Sequence, residues 1–300
     1  MLFPDIFRRG LAISLAAAGM VVLLSGTSIA EENNGAVPEK PAASSAVSQA
    51  TQPGPPDRIT GEYVKGYFTD TAKMLASPAK WDRSDWLKAG LVIGAASGAY
   101  LADADIKNFA QKNQSAAGDK GAAVGNALGD PFVVLPALGL FYLYGHLNED
   151  PKARRASLLS MESLVISGVF TGAVKLAFQR PRPSTGESAT SWNGPSLKGG
   201  DPSFPSNHTT AAFSVASVLA EEYGDNPYVP PIAYGLATLT GFARIYDNKH
   251  WASDAFFGGV IGYFVGKAVV RYHTLQSDIP VTIFPTASRQ GFGVMAEYRF

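Results

Sequence analysis

The chain contains no cysteine. That absence excludes disulfides, zinc–thiolate sites and a cysteine nucleophile. Charge is scarce as well. Only 17% of the residues are charged, against roughly 25% in an average soluble protein. Basic and acidic side chains number 25 each, so no global basic field exists for a nucleic acid, and any anion site must be local. Histidines number four, which narrows the candidates for proton transfer at neutral pH. What is abundant is apolar: 46% of the residues are hydrophobic. That balance supports a sizeable core and points to apolar helices or membrane contact.

The first thirty residues have the order of an export signal. Arg8 and Arg9 precede an apolar run from Leu11 to Leu24, followed by Ser28-Ile29-Ala30. A charged, then apolar, then small-residue sequence is that of a secretory signal peptide, here cleaved after Ala30. An uncleaved anchor is the other reading, but the apolar run is shorter than the ~20 residues that span a bilayer. Residues 31–58 are rich in Ala, Ser, Pro, Gln and Glu and predict a disordered linker, since they bury too little surface to offset ordering entropy. The expected location is exported, in the periplasm or against an envelope membrane.

Residues 59–275 read as a helical domain, with the motif-bearing part at 154–272. A short helix is expected within 59–80, lying on the domain surface. Six further helical segments follow at about 84–104, 132–146, 154–178, 208–223, 230–245 and 251–272, separated by Pro and Gly clusters. Their uncharged stretches run about 12 to 16 residues, below a comfortable bilayer span. This favours a periplasmic bundle, with a membrane-embedded one as the alternative. The last segment, 276–300, alternates like a β-hairpin. The expected fold class is therefore all-α, a six-helix bundle with a short C-terminal β-hairpin.

Three segments concentrate the reactive side chains: Lys175 through Pro183, Phe204 through His208, and Ala243 through Asp254. Lys175 lies near the end of one helix, His208 opens the next, Arg244 closes the third and His250 opens the fourth. Short connections favour antiparallel neighbours, so all four ends meet at one pole of the bundle. Lys175, Arg182 and Arg244 supply fixed positive charge, and arginine's planar fork fits a phosphate bidentately. Ser206, Asn207 and His208 begin a helix, where free N–H groups and the dipole favour an anion. Ser206 is also a good N-cap. The cluster thus reads as a tetrahedral oxyanion site.

Within it, His250 is the candidate nucleophile. Asp254, four residues on along the same helical face, is expected to accept a hydrogen bond from its ring and orient it. His208 is the candidate general acid and base. No carboxylate cluster that would hold a metal is evident, and no metal or cofactor is expected. Taken singly, each residue has a plainer reading. A histidine at a helix start is often a polar cap, Arg182 an exposed loop residue, His250–Asp254 a surface pair, and Arg244 a charge on a helix C-terminus. His146 and His273 lie outside the three segments and read as structural or solvated.

The three segments together resemble the motifs of the type 2 phosphatidic acid phosphatase / vanadium haloperoxidase superfamily. Lys175, Arg182 and Pro183 fit K-x6-R-P. Pro205, Ser206 and His208 fit P-S-G-H. Arg244, His250 and Asp254 fit S-R-x5-H-x3-D. Asn207 replaces the usual Gly and Ala243 the usual Ser. The first change is expected to keep an anion-binding turn, because Asn tolerates left-handed backbone angles; the second removes one hydrogen bond. The resemblance implies a helical bundle and a phosphatase acting through a phosphohistidine on phosphate monoesters or pyrophosphates. The low charge favours a phosphorylated lipid over a small phosphoester, with membrane contact through apolar helices or the hairpin. Vanadate is then an inhibitor. In the alternative reading it is the cofactor of a haloperoxidase; a non-catalytic envelope protein on the same scaffold is the third reading. The loop 184–204, with Trp192 and Lys198, is expected to cover the pocket.

Overall fold

The computed structural model describes residues 57–197, 200–277, 281–288 and 291–298. The expected signal peptide, all but the end of the expected linker, and Lys198 lie outside the described residues. Among these, nine α-helices follow in order: α1 (Gly61–Ala76), α2 (Arg83–Leu101), α3 (Asp103–Lys112), α4 (Ala116–Gly129), α5 (Pro131–Leu147), α6 (Pro151–Phe178), α7 (Asn207–Glu222), α8 (Val229–Tyr246) and α9 (Ala252–Ser277). Strands β1 (Val281–Ser288) and β2 (Gly291–Tyr298) pair antiparallel, with Val281 opposite Tyr298 and Ser288 opposite Gly291.

The count of six helices is corrected by this architecture. Helix α3 starts one residue after α2 ends, with Ala102 as the hinge, so the two read as one segment in sequence. Helix α4 is AAGDKGAAVGNALG, whose four glycines weaken its propensity. Tertiary packing overrides that weakness. A Cβ on Gly125 would lie 2.7 Å from the Leu239 carbonyl oxygen, and one on Gly129 would lie 2.6 Å from that of His208. Only a bare backbone brings α4 this close to α8 and α7.

Local chemistry sets most boundaries. Asp82 and Asp85 form a reciprocal capping box at the start of α2. Asp150 caps α6 ahead of Pro151 at its first position. Ser206 caps α7 by accepting from the Thr209 N–H.

Helix α7 is the centre of the bundle, in contact with α4, α6, α8 and α9. One core cluster joins Leu159 and Ile166 of α6, Val218 of α7, and Val265, Val269 and Val270 of α9. A second joins Val134 and Leu138 of α5 to Leu164 of α6 and Ala211 of α7. A glycine stripe on α9 lets it lie directly on α7: a Cβ on Gly258 or Gly266 would sit 2.6 Å from the carbonyl oxygen of Ser206 or Ser214. This small-residue seam fixes the register between the helix that carries His208 in its first turn and the one that follows His250.

The helices are longer than the uncharged stretches in the sequence. Pro151–Thr185 and Ala252–Thr274 are each long and apolar enough to cross a membrane, and α4 with α5 forms a pair bent by 61°. Counting uncharged residues undercounts here because Glu162 sits inside α6 without ending it; it is fully buried. The outer faces carry large exposed apolar side chains, among them Leu87 and Leu91 of α2, Phe132 and Leu140 of α5, and Val169 of α6.

Candidate active site

The last turns of α6 and α8 and the first turns of α7 and α9 supply the cluster. Lys175 lies three residues from the end of α6 and Arg244 two from the end of α8. His208 is the second residue of α7, and His250 precedes α9 by two. The chain reverses between α8 and α9 at Asn248, whose φ of 57° is left-handed; Asn tolerates this better than other side chains. The Lys249 and His250 N–H groups then both donate to the Arg244 carbonyl.

His250 is buried, and its Nδ1 lies 2.7 Å from the carbonyl oxygen of Ser203. A carbonyl only accepts, so Nδ1 carries the proton and Nε2 is left with its lone pair. The expected hydrogen bond from His250 to Asp254 is not formed: Asp254 Oδ2 is 3.9 Å from Nδ1. Asp254 is instead saturated by other donors. Oδ2 accepts from the Ser203 hydroxyl and from the Trp251 N–H at 2.8 Å, and Oδ1 from Arg180 Nη1 at 2.7 Å. Asp254 therefore positions the imidazole through Ser203, whose hydroxyl it holds while the carbonyl of the same residue holds the ring.

Arg180 is the hub of this network and is fully buried. It pairs with both Asp254 and Asp103, each at 2.7 Å and each fully buried. Tyr100, Trp192 and Trp251 surround its guanidinium, with ring centroids 4.8 to 5.3 Å away. Asp103 in turn accepts from the Ser253 N–H at 2.9 Å and hydroxyl at 2.6 Å, which anchors the start of α9. Sequence reasoning assigned no role to Arg180, Ser203 or Asp103. Their partners among Asp103, His250, Ser253 and Asp254 are 47 to 150 residues distant in the chain, and no local spacing announces them.

The three cations stand around the histidines. Lys175 donates to the Pro202 carbonyl. Arg182 donates Nε to the Asp201 carbonyl at 3.0 Å and Nη2 to the Asp201 carboxylate. Arg244 donates Nη1 to Asn126 of α4 at 2.7 Å, while its buried Nε–H has no hydrogen-bond partner among the described residues. An unpaired guanidinium donor beside two further cations is a preformed anion contact. Burial first, then the charges of Arg244, Arg182 and Lys175, lowers the pKa of His208 to about 4. Burial likewise lowers that of His250 to about 4, with Lys175 and Arg182 adding to the effect against Asp254. Both rings are thus neutral at pH 7, as a nucleophilic imidazole requires.

One expected anion contact, at Ser206, and one expected turn, at Asn207, are revised. The Ser206 hydroxyl serves the Thr209 N–H and hydroxyl, and its own N–H donates to the Asp254 carbonyl at 3.1 Å. Ser206 therefore shapes the helix start, and the free donors are the first-turn N–H groups of Asn207 and His208. Asn207 is exposed and begins α7; it is not among the positive-φ residues, so no left-handed turn is needed there. Ala243 is buried, and a Cβ on Gly125 would lie 2.8 Å from its methyl group; packing against α4 replaces the missing hydroxyl. Trp192, from the loop 184–204, packs edge-on against Phe178 and Phe204 and donates to the Tyr100 hydroxyl at 3.2 Å. It covers Arg180.

The chain is similar to several known proteins. A lipid A 1-phosphatase of Porphyromonas gingivalis is 35% identical over 105 residues, which is 35% of this chain and 21% of that protein. The undecaprenyl-diphosphatase BcrC of Bacillus subtilis is 26% identical over 146 residues, 48% of this chain and 70% of that one. The chain thus spans about a fifth of the first relative's length. The crystal structure of Aquifex aeolicus LpxE superposes with a TM-score of 0.43 at 24% identity, covering 57% of this chain and 95% of that chain. Residues 157–278 match the PAP2 superfamily model. Lys175, Arg182, His208, Arg244, His250 and Asp254 all fall inside that segment, so the part of the chain that is similar to the PAP2 superfamily is the part that carries the cluster.

Proposed function

We propose that this chain is a membrane-associated phosphatase that hydrolyses phosphate monoesters or pyrophosphates of lipids through a phosphohistidine. The observation that carries the reading is the gathering of Lys175, Arg182 and Arg244 around two neutral imidazoles; after burial, all three help to lower the pKa of His208, and Lys175 and Arg182 that of His250. The cations and the first N–H groups of α7 bind the three peripheral phosphate oxygens. His250 Nε2 attacks phosphorus as the bond to the ester oxygen breaks. His208, protonated once the anion is bound, gives its proton to the leaving oxygen. His208 then takes a proton from water, which attacks the phosphohistidine; inorganic phosphate leaves and His250 is regenerated. The fixed cations stabilise the transition-state charge, so the reading includes no metal or cofactor in the chemistry and takes vanadate as an inhibitor.

Two observations support a lipid substrate. The relatives bear the names of lipid and polyisoprenyl phosphate phosphatases. The exterior carries exposed apolar side chains on helices of membrane-spanning length, which supports a lipid-embedded bundle with the site at one end. Export to the periplasmic side remains part of the reading. The test is phosphate release from mixed micelles of phosphatidic acid, lipid A and undecaprenyl pyrophosphate, against para-nitrophenyl phosphate. The proposal requires release from at least one lipid and its loss in His250→Ala. Equal release by the variant removes the catalytic assignment, and activity confined to the soluble ester removes the lipid one.

A further inference from the structure

A second cluster of ionisable side chains lies far from the catalytic pole. Asp70 of α1, Glu162 of α6 and His273 of α9 meet in the bundle, all three buried. His273 is nineteen residues beyond Asp254 on α9, about 28 Å at 1.5 Å per residue. The catalytic proposal makes no use of it. Sequence reading found no carboxylate cluster, because these residues are 92 and 111 positions apart and converge only on folding. The reading of His273 as structural or solvated is narrowed accordingly: it is buried and bonded.

The hydrogen bonds within the trio do not satisfy it. His273 Nε2 is 2.9 Å from Glu162 Oε2 and 3.5 Å from Asp70 Oδ2. Lys73 Nζ serves the other Asp70 oxygen, Oδ1, at 2.8 Å. Glu162 Oε1 and Asp70 Oδ2 are both buried without a hydrogen-bond partner among the described residues. A protonated His273 would balance the charge, but its single Nε2–H serves Glu162 Oε2 and leaves both oxygens unpaired. Leaving even one buried carboxylate oxygen unpaired is costly.

We propose that Asp70, Glu162 and His273 form a structural site for a divalent transition metal of the zinc class. One nitrogen and two carboxylate oxygens are a ligand set for zinc, whereas magnesium and calcium prefer oxygen alone. The edges fit as well. Tetrahedral ligands about 2.05 Å from zinc are about 3.3 Å apart, and the observed 2.9 and 3.5 Å bracket that length. One ligand atom from each residue lies within 4.8 Å of the other two. Gly66 makes the approach feasible: a Cβ there would lie 3.2 Å from Glu162 Oε1 and 3.4 Å from the His273 ring. The metal fastens α1 to α6 and α9, at the opposite end from the reaction.

The experiment uses the full chain in detergent micelles, stripped with a chelator and titrated with zinc chloride alone. The proposal predicts one equivalent of zinc retained after desalting, with nitrogen and oxygen neighbours in the zinc-edge X-ray absorption spectrum and a rise in melting temperature. Glu162→Gln and His273→Gln lose both the bound zinc and the rise, whereas His250→Ala keeps them. Wild-type protein that retains no stoichiometric zinc overturns the proposal, and this arm needs no variant to fold. Retention by His273→Gln equal to wild type overturns it too. A melting temperature that depends on His273 but not on zinc overturns it as well and assigns the cluster to hydrogen-bonded packing without a metal.

Discussion

The imidazole of His250 is held by the backbone of Ser203, not by the carboxylate of Asp254: Nδ1 is 2.7 Å from the Ser203 carbonyl oxygen and 3.9 Å from Asp254 Oδ2. This arrangement ranks two substitutions. Ser203→Ala keeps the carbonyl and loses the hydroxyl, which is bonded to Asp254 and lies 3.4 Å from His250 Nδ1. One hydrogen bond of about 1 kcal/mol predicts a loss in kcat of up to about tenfold. Asp254→Ala removes the acceptor that fixes the Ser203 hydroxyl, the Trp251 N–H and Arg180 together, and kcat falls by about 10² to 10⁴. Steady-state kinetics on both variants decide the order. A larger loss for Ser203→Ala would contradict the positioning described.

Arg180 balances two buried carboxylates at once. Arg180→Gln leaves Asp103 and Asp254 without their cation and destabilises the fold by about 3–5 kcal/mol, as removal of one partner of a buried pair does. Thermal unfolding in detergent micelles measures the loss. Arg182→Gln, at the rim, serves as the comparison and shifts the midpoint much less, because its Asp201 partner is exposed.

Asp201 occupies Arg182 in the resting site. A substrate phosphate must displace that carboxylate to gain the guanidinium. Asp201→Asn is therefore expected to lower KM and the inhibition constant of vanadate severalfold, with kcat nearly unchanged. A raised KM would show that Asp201 orients Arg182 more than it competes.

His208 is neutral at pH 7 in the resting site, with a pKa of about 4. A bound dianion cancels the repulsion from Arg244, Arg182 and Lys175 and raises that pKa. Between the resting and bound values, binding takes up a proton, and affinity for the dianion falls as pH rises through the bound value. Sulfate keeps its own charge throughout this range. Calorimetry of sulfate binding in buffers of different ionisation enthalpy should show proton uptake, absent in His208→Ala. No uptake in the wild type would remove the acid from the mechanism. His250 also has a pKa of about 4, and its protonated ring cannot attack, so kcat/KM should fall below that pH.

The pole of the bundle was legible because four reactive residues sit at helix ends, and alternating helices bring such ends together. Lys175, Arg182, His208, Arg244 and His250 are all recoverable from type and spacing. Helix α4 was not, since its glycines signal a loop while their purpose, close contact with α7 and α8, exists only in three dimensions. Arg180 sits two residues from Arg182; the K-x6-R-P spacing singles out Arg182, while nothing local announces the buried, two-carboxylate role of Arg180. The i, i+4 spacing of His250 and Asp254 suggested a direct bond. His250 precedes the first turn of α9, so helical geometry does not apply to the pair. Membrane-spanning length was underestimated because Glu162 interrupts an apolar run without interrupting the helix.

The central claim is tested most directly by acid-free quenching of turnover on a ³²P-labelled lipid phosphate, followed by peptide mapping. The account predicts a label stable to alkali and lost in acid, carried by the peptide containing His250, accumulating in His208→Ala and absent in His250→Ala. Turnover that persists in His250→Ala, or a label on any other residue, would contradict it.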